Sequence, residues 1–251
     1  MPINFSRNLT GRVRTAHADR QLGAALAFVA GATNAGGFLA VGQYTSHMTG
    51  IVSAMADNLA LGAGAIALAG AAALLAFILG ATCSTILVRY SRRREMHSQY
   101  ALPLMVEACL LLCFGLLGAR LAVAGDLFVP LTVLLLSFIM GLQNAVVTKL
   151  SNAEIRTTHI TGIVTDIGIE LGKLAYPDPG RKEPAAMVAA SRRRLGLLCM
   201  LFASFLAGGV AGALGFKHVG FAATVPLALA LVLLASVPIV DDVHFFWRRK
   251  S

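Results

Sequence analysis

The sequence predicts an all-α integral membrane protein whose six transmembrane helices form two inverted three-span repeats. Three observations lead there. First, 57% of the 251 residues are hydrophobic and only 13% charged, against about 25% charged in a soluble domain. With a mean hydropathy of +0.75, too little polar surface remains to coat a soluble fold of this size. Second, six stretches are apolar over about 20 residues, the length that crosses roughly 30 Å of hydrocarbon. Third, one motif-bearing stretch occurs twice. The same composition excludes a disordered chain, a collagen and a disulfide scaffold.

Taken in order, residues 1–21 form a basic arm with Arg7, Arg12, Arg14 and Arg20, and spans are expected at 22–42, 63–88, 102–124, 127–148, 195–216 and 221–240. The first span follows polar and basic residues and lacks a small-residue cleavage pattern at its end, so it is expected to stay as a span rather than act as a cleaved signal peptide. Residues 22–124 then make the first three-span repeat and 127–240 the second. A cytoplasmic linker near 176–194 carries the turn chemistry of Pro177-Asp178-Pro179-Gly180, and 241–251 is a basic tail. Nineteen of the 21 Lys and Arg residues fall on one side of this arrangement, Arg120 and Lys217 being the exceptions. That asymmetry puts both termini in the cytoplasm.

The formal charge of +9 is thus a record of topology. The basic residues form no stripe interleaved with aromatics, so nucleic acid is not an expected partner; the runs read as solvated faces touching anionic headgroups. Cys83, Cys109, Cys113 and Cys199 lie in apolar stretches without zinc spacing and read as small core residues. No Walker A loop, Rossmann fingerprint, HExxH or GxSxG elbow occurs, so no cofactor or metal is expected.

The repeat carries most of the information. Phe28, Gly31, Asn34 and Ala35 align without a gap on Phe138, Gly141, Asn144 and Ala145. After a two-residue insertion, Thr45-Ser46-His47-Met48-Thr49-Gly50 aligns with Thr157-Thr158-His159-Ile160-Thr161-Gly162. Three crossings per half force the second half to enter from the opposite side, the recurring design of secondary transporters, with a site at the repeat interface built from interrupted helices. The segments 48–62 and 160–175 that follow each T-x-H-x-T-G motif cannot cross fully without moving basic runs to the wrong side. They re-enter and return, where protein or a water-filled cavity must satisfy their backbone, or they lie flat along the interface.

The polar residues of these segments are the candidate substrate- or ion-binding groups: Asn34, Thr45, His47, Thr49 and Asp57 in the first half, Asn144, Thr158, His159, Thr161, Asp166 and Glu170 in the second. Thr49, Ser53 and Asp57 form one helical stripe, and His159, Asp166 and Glu170 lie close to another. The acids are not equivalent: Asp57 aligns with Ile169, and Asp166 with Ala54. Ionisable groups at such places are functional candidates by default, and an imidazole with an ordinary pKa near 6.5 exchanges protons near neutrality. Structural roles stand beside these: the histidines as donors tying a broken helix, the asparagines as interhelical packing. Glu107, roughly 9 Å into the third span, is read as reaching back to Arg92–Arg94 rather than as a proton carrier. Gly208-xxx-Gly212 permits close helix approach, here between repeats ahead of dimerisation, with a homo-oligomer left open.

The doubled G-x-x-N-A and T-x-H-x-T-G in a six-span chain of this length resembles the YoaK-type family of bacterial membrane proteins, a domain of unknown function. The resemblance covers nearly the whole chain. It implies a multi-pass inner-membrane location and the same topology, and no substrate, cofactor or site residue. The functional expectation is therefore a small secondary transporter or permease for an unidentified small solute, coupled to protons or cations through Asp57, Asp166 and Glu170. It is not expected to be an enzyme. A non-transporting scaffold or accessory subunit is the alternative, and an intramembrane enzyme a third.

Overall fold

The computed structural model describes residues 16–94, 96, 99–121, 128–150, 160–176 and 185–236. Among them there is no strand. The helices are α1 (Ala16–Val41), α2 (Met48–Ala60), α3 (Gly64–Arg93), α4 (Ala101–Leu121), α5 (Phe128–Leu150), α6 (Ile160–Ala175) and α7 (Ala185–Val219). A 3-10 turn at Gly220–Ala223 leads into α8, residues 224–236.

Local chemistry sets these limits. Pro103 and Pro130 stand in the first turns of α4 and α5, and Pro226 in that of α8, where a missing N–H breaks no helical bond. Gly42, Gly62 and Gly220 have φ of 71, 75 and 66° and lie just past the ends of α1, α2 and α7, the left-handed position that glycine alone takes without strain. At Gly220 the chain doubles back. A Cβ on Gly215 would lie 3.2 Å from that of Ala223, whereas eight residues of continuous helix would separate them by about 12 Å.

Among the described residues, five stretches are long and apolar enough to cross a membrane: Arg20–Val41, Gly64–Arg93, Ala101–Gly118, Val129–Lys149 and Val188–Ser236. The last runs for 49 residues, more than twice the length one crossing needs, and contains the reversal at Gly220. Helices α2 and α6, at 13 and 16 residues, are too short to span. The exterior is apolar, with Leu68, Leu116 and Leu233 about 70% exposed. Cys109, Cys113 and Cys199 belong to that exterior and only Cys83 is half-buried. Their assignment to the core is corrected accordingly, because hydrocarbon makes the outside of a membrane protein as hospitable to a thiol as its inside. The expected linker also shortens. Ala185–Ala190 are mostly strong helix formers, so the helix starts at Ala185 and carries Arg192–Arg194 on its own surface.

Two pairs of helices hold the bundle together, α1 with α7 and α3 with α5. Both are built on the same pattern of two phenylalanines and two glycines. A Cβ on Gly31 would strike the carbonyl oxygen of Phe205, and one on Gly208 that of Phe28; a Cβ on Gly80 would strike Phe138 O, and one on Gly141 Phe77 O. Each of the four helices thus carries a Phe-x-x-Gly step (Phe28–Gly31, Phe77–Gly80, Phe138–Gly141, Phe205–Gly208), and each glycine lies against the backbone of its partner's phenylalanine. Between α1 and α7 the contacts advance from Phe28/Gly208 through Ala32/Gly212 to Gly36/Phe216, so these helices run parallel. Gly208-xxx-Gly212 therefore packs within the chain. Helices α1 and α5 cross in opposite senses, since Gln143 Nε2 donates to Leu26 O at 3.3 Å while Gly37 meets Leu136. From 22 to 37 and from 132 to 147, burial matches at every position except Phe28 and Phe138.

Candidate functional site

The first motif closes on itself. Ser46 Oγ donates to Asn34 Oδ1 at 2.7 Å, which ties the loop after α1 back onto the G-x-x-N-A step. Thr45 is buried beside it at 3% exposure. His47 is the N-cap of α2, with no side-chain capping bond. Its ring lies over Gly50, where a Cβ would come 2.5 Å from Nδ1. A side chain at Gly50 would therefore displace the His47 ring. Thr49, Ser53 and Asp57 are all exposed, on the face of α2 turned away from α3, against which Ile51 and Met55 pack at Gly70.

In the second half, Thr158 and His159 lie outside the described residues. Thr161 is exposed. Asp166 and Glu170 are brought together by Arg194, whose Nη2 is 3.2 Å from Asp166 Oδ2 and whose Nη1 is 3.6 Å from Glu170 Oε1. The Ser191 hydroxyl donates to Glu170 Oε2, and Lys173 Nζ reaches Oε1 at 3.0 Å. Glu170 is only 2% exposed. The Ser191 hydroxyl and then the Lys173 ammonium hold its carboxyl below the ordinary range, against the opposing effect of burial. The result is an ionic clasp between α6 and α7. Of the acids singled out in the sequence, Asp57 faces outward and the other two hold cations.

A different set of polar groups is enclosed. Thr33 Oγ1, Ser84 Oγ, both carboxyl oxygens of Glu107, Ser137 Oγ and Gln143 Oε1 are buried without a hydrogen-bond partner among the described residues. They come from α1, α3, α4 and α5. Tyr100 OH donates to Lys149 O at 3.3 Å, and from that register the antiparallel α4 and α5 bring Glu107 level with Leu142 and Gln143. The parallel α3–α5 contact of Gly80 with Leu142 sets Ser84 about one turn beyond. Thr33 and Ser137 are level across the α1–α5 crossing. Each unsatisfied buried group costs about 1–3 kcal/mol and a charged one more, so polar groups enclosed in apolar helices call for water, an ion or a solute beside them.

The reading of Glu107 is corrected here. Arg92 is held by Gln99 Oε1 through Nε at 3.3 Å and by Tyr100 OH through Nη2 at 3.2 Å. Glu107 lies about 10 Å deeper than Tyr100 along α4, out of that network. Thr33 and Gln143 were missed although each precedes an asparagine already singled out. Face arithmetic finds them: Leu22, Leu26, Val29 and Thr33 fall on one stripe of α1, and Leu136, Met140 and Gln143 on one stripe of α5.

Apolar helices of spanning length that enclose scattered polar groups define a multi-pass membrane protein. The chain belongs to the family described as a protein of unknown function, DUF1275, which matches residues 22–237. No curated protein matches the chain, and no solved structure does.

Proposed function

We propose that the chain is a small secondary transporter of two inverted three-span halves, with both termini in the cytoplasm of a bacterial cell and α2 and α6 as the non-spanning segments. In this reading the stretch Val188–Ser236 makes two crossings, for six in all. The antiparallel α1–α5 crossing, the matched burial of α1 and α5 and the four reciprocal Phe-x-x-Gly contacts support an inverted repeat. One observation carries transport rather than scaffolding: among the described residues, six side-chain oxygens on four helices are buried without partners. A structural interface gains nothing from that arrangement, whereas a small polar solute or hydrated ion does.

Glu107 is the coupling group in this account. An isolated carboxyl at span depth is stable only with a proton, a cation or water beside it, and it can exchange the one for the other as the site changes sides. The clasp of Glu170, Asp166 and Arg194 holds α6 against the start of α7 and serves as the cytoplasmic latch. The chain performs no covalent chemistry.

Proton movement in proteoliposomes, followed with an internal pH-sensitive dye under a potassium-diffusion potential, tests this reading. The wild type is expected to move protons and Glu107→Gln to lose at least 90% of the flux, roughly the tenfold loss that 1.4 kcal/mol produces. Equal flux in both would remove Glu107 from the mechanism. The tight glycine contacts also fit a second reading, a non-transporting scaffold, which predicts no flux in either protein.

A further inference from the structure

At the end of the bundle where α3 and α5 finish and α4 begins, three cations gather. Arg92 stands in the last turn of α3 with Arg89 one turn before it, and Lys149 stands in the last turn of α5, where both arginine charges act on the Lys149 ammonium. Their placement is built rather than incidental. Tyr100, only 4% exposed, donates from its hydroxyl to Lys149 O at 3.3 Å and accepts from Arg92 Nη2 at 3.2 Å. Gln99 Oε1 accepts from Arg92 Nε at 3.3 Å. The guanidinium is therefore fixed at the end of α5. None of the three cations meets an acid among the described residues, where the ion pairs involve only Lys173 and Arg194.

Three like charges held together repel one another, and the carbonyl end of α5 offsets only part of that cost. An anion resolves it. The position is the end of three apolar stretches of spanning length, where a bilayer would place its headgroups. The donors are two guanidinium forks and one ammonium, the set that grips phosphate oxygens. We propose that Arg89, Arg92 and Lys149 form a binding site for a phosphate group, supplied by an anionic phospholipid of the surrounding leaflet.

The full-length protein in detergent micelles tests this through its thermal unfolding midpoint. It is titrated separately with phosphatidylglycerol, phosphatidylcholine and inorganic phosphate. Phosphatidylglycerol is expected to raise the midpoint saturably, and phosphatidylcholine to leave it unchanged. Lys149→Gln and Arg89→Gln are expected to weaken the apparent affinity roughly tenfold, as for one lost charge-assisted contact. Lys149→Arg retains it, which keeps the test sound if Lys149→Gln folds poorly. Arg94→Gln, in the same basic run but over the Tyr90 ring, leaves it unaltered. An equal, Lys149-dependent shift with inorganic phosphate would keep the site and make its ligand the free ion. Stabilisation by phosphatidylcholine, absence of any shift, or equal weakening by Arg94→Gln would overturn the proposal, the last because it marks a diffuse basic surface.

Discussion

The imidazole of His47 occupies the space that a side chain on Gly50 would need, so the two motif residues act as one steric unit at the start of α2. Gly50→Ala is expected to destabilise the protein by about 1 kcal/mol, the low end of overpacking costs because the ring can swing aside. His47→Ala in the same chain should remove that penalty, giving a measurable coupling in a double-mutant cycle of unfolding free energies. Additive effects would separate the two residues. The doubled motif was legible in the sequence, and so was the asparagine that precedes it in each half. The reason for its glycine was not, because an N-cap rotamer has no sequence signature. Thr33 and Gln143 were within reach of helical face arithmetic, whereas Ser84 and Ser137 look like ordinary small residues until their neighbours are known. Glu107 stood out by depth, but its lack of a partner depends on where Arg92 goes.

Between elements, backbone-to-backbone approach decides the packing of α1 on α7 and of α3 on α5. Gly31→Val and Gly208→Val each push a side chain into a partner carbonyl, which cannot move without bending a helix. A loss of about 3 kcal/mol or more is expected for either, read as a fall in the unfolding midpoint. Gly168→Ala, with nothing within 4 Å of its Cβ position, should instead gain about 0.5–1 kcal/mol from helix propensity. The clasp between α6 and α7 gives a pH signature. Ser191 and Lys173 hold the Glu170 carboxyl below its ordinary value, so its contribution is present above the unfolded pKa of about 4.3. It is lost as pH falls through the lower folded value. The difference in midpoint between wild type and Glu170→Gln is therefore expected to be constant near neutrality and to shrink as the solution is acidified below about pH 4. A difference that grew on acidification would contradict the assignment. Element positions followed hydropathy closely. The start of α7 did not, because a basic, alanine-rich stretch beside a proline turn reads equally as linker or helix. The Phe-x-x-Gly steps of α3 and α7 also escaped notice, since each is meaningful only against its partner.

At the scale of the whole molecule, charge asymmetry and the duplicated motif lead to the expectation of two opposed halves, and α1 and α5 cross in opposite senses with matching burial. Hydropathy could not reveal the enclosed polar groups, because they are spread one or two residues at a time over four apolar helices. Transport requires those groups to meet water from at least one side of the membrane. Ser84→Cys and Ser137→Cys, each made in a chain whose four native cysteines are replaced by alanine, put a near-isosteric thiol there. The most direct measurement is their labelling in intact membrane vesicles by a small, charged thiol reagent. The account predicts that both cysteines react, and that a pre-bound solute or a change of pH alters the rate. If neither reacts in the membrane while both react after denaturation, those groups are dry and the chain is a scaffold rather than a transporter.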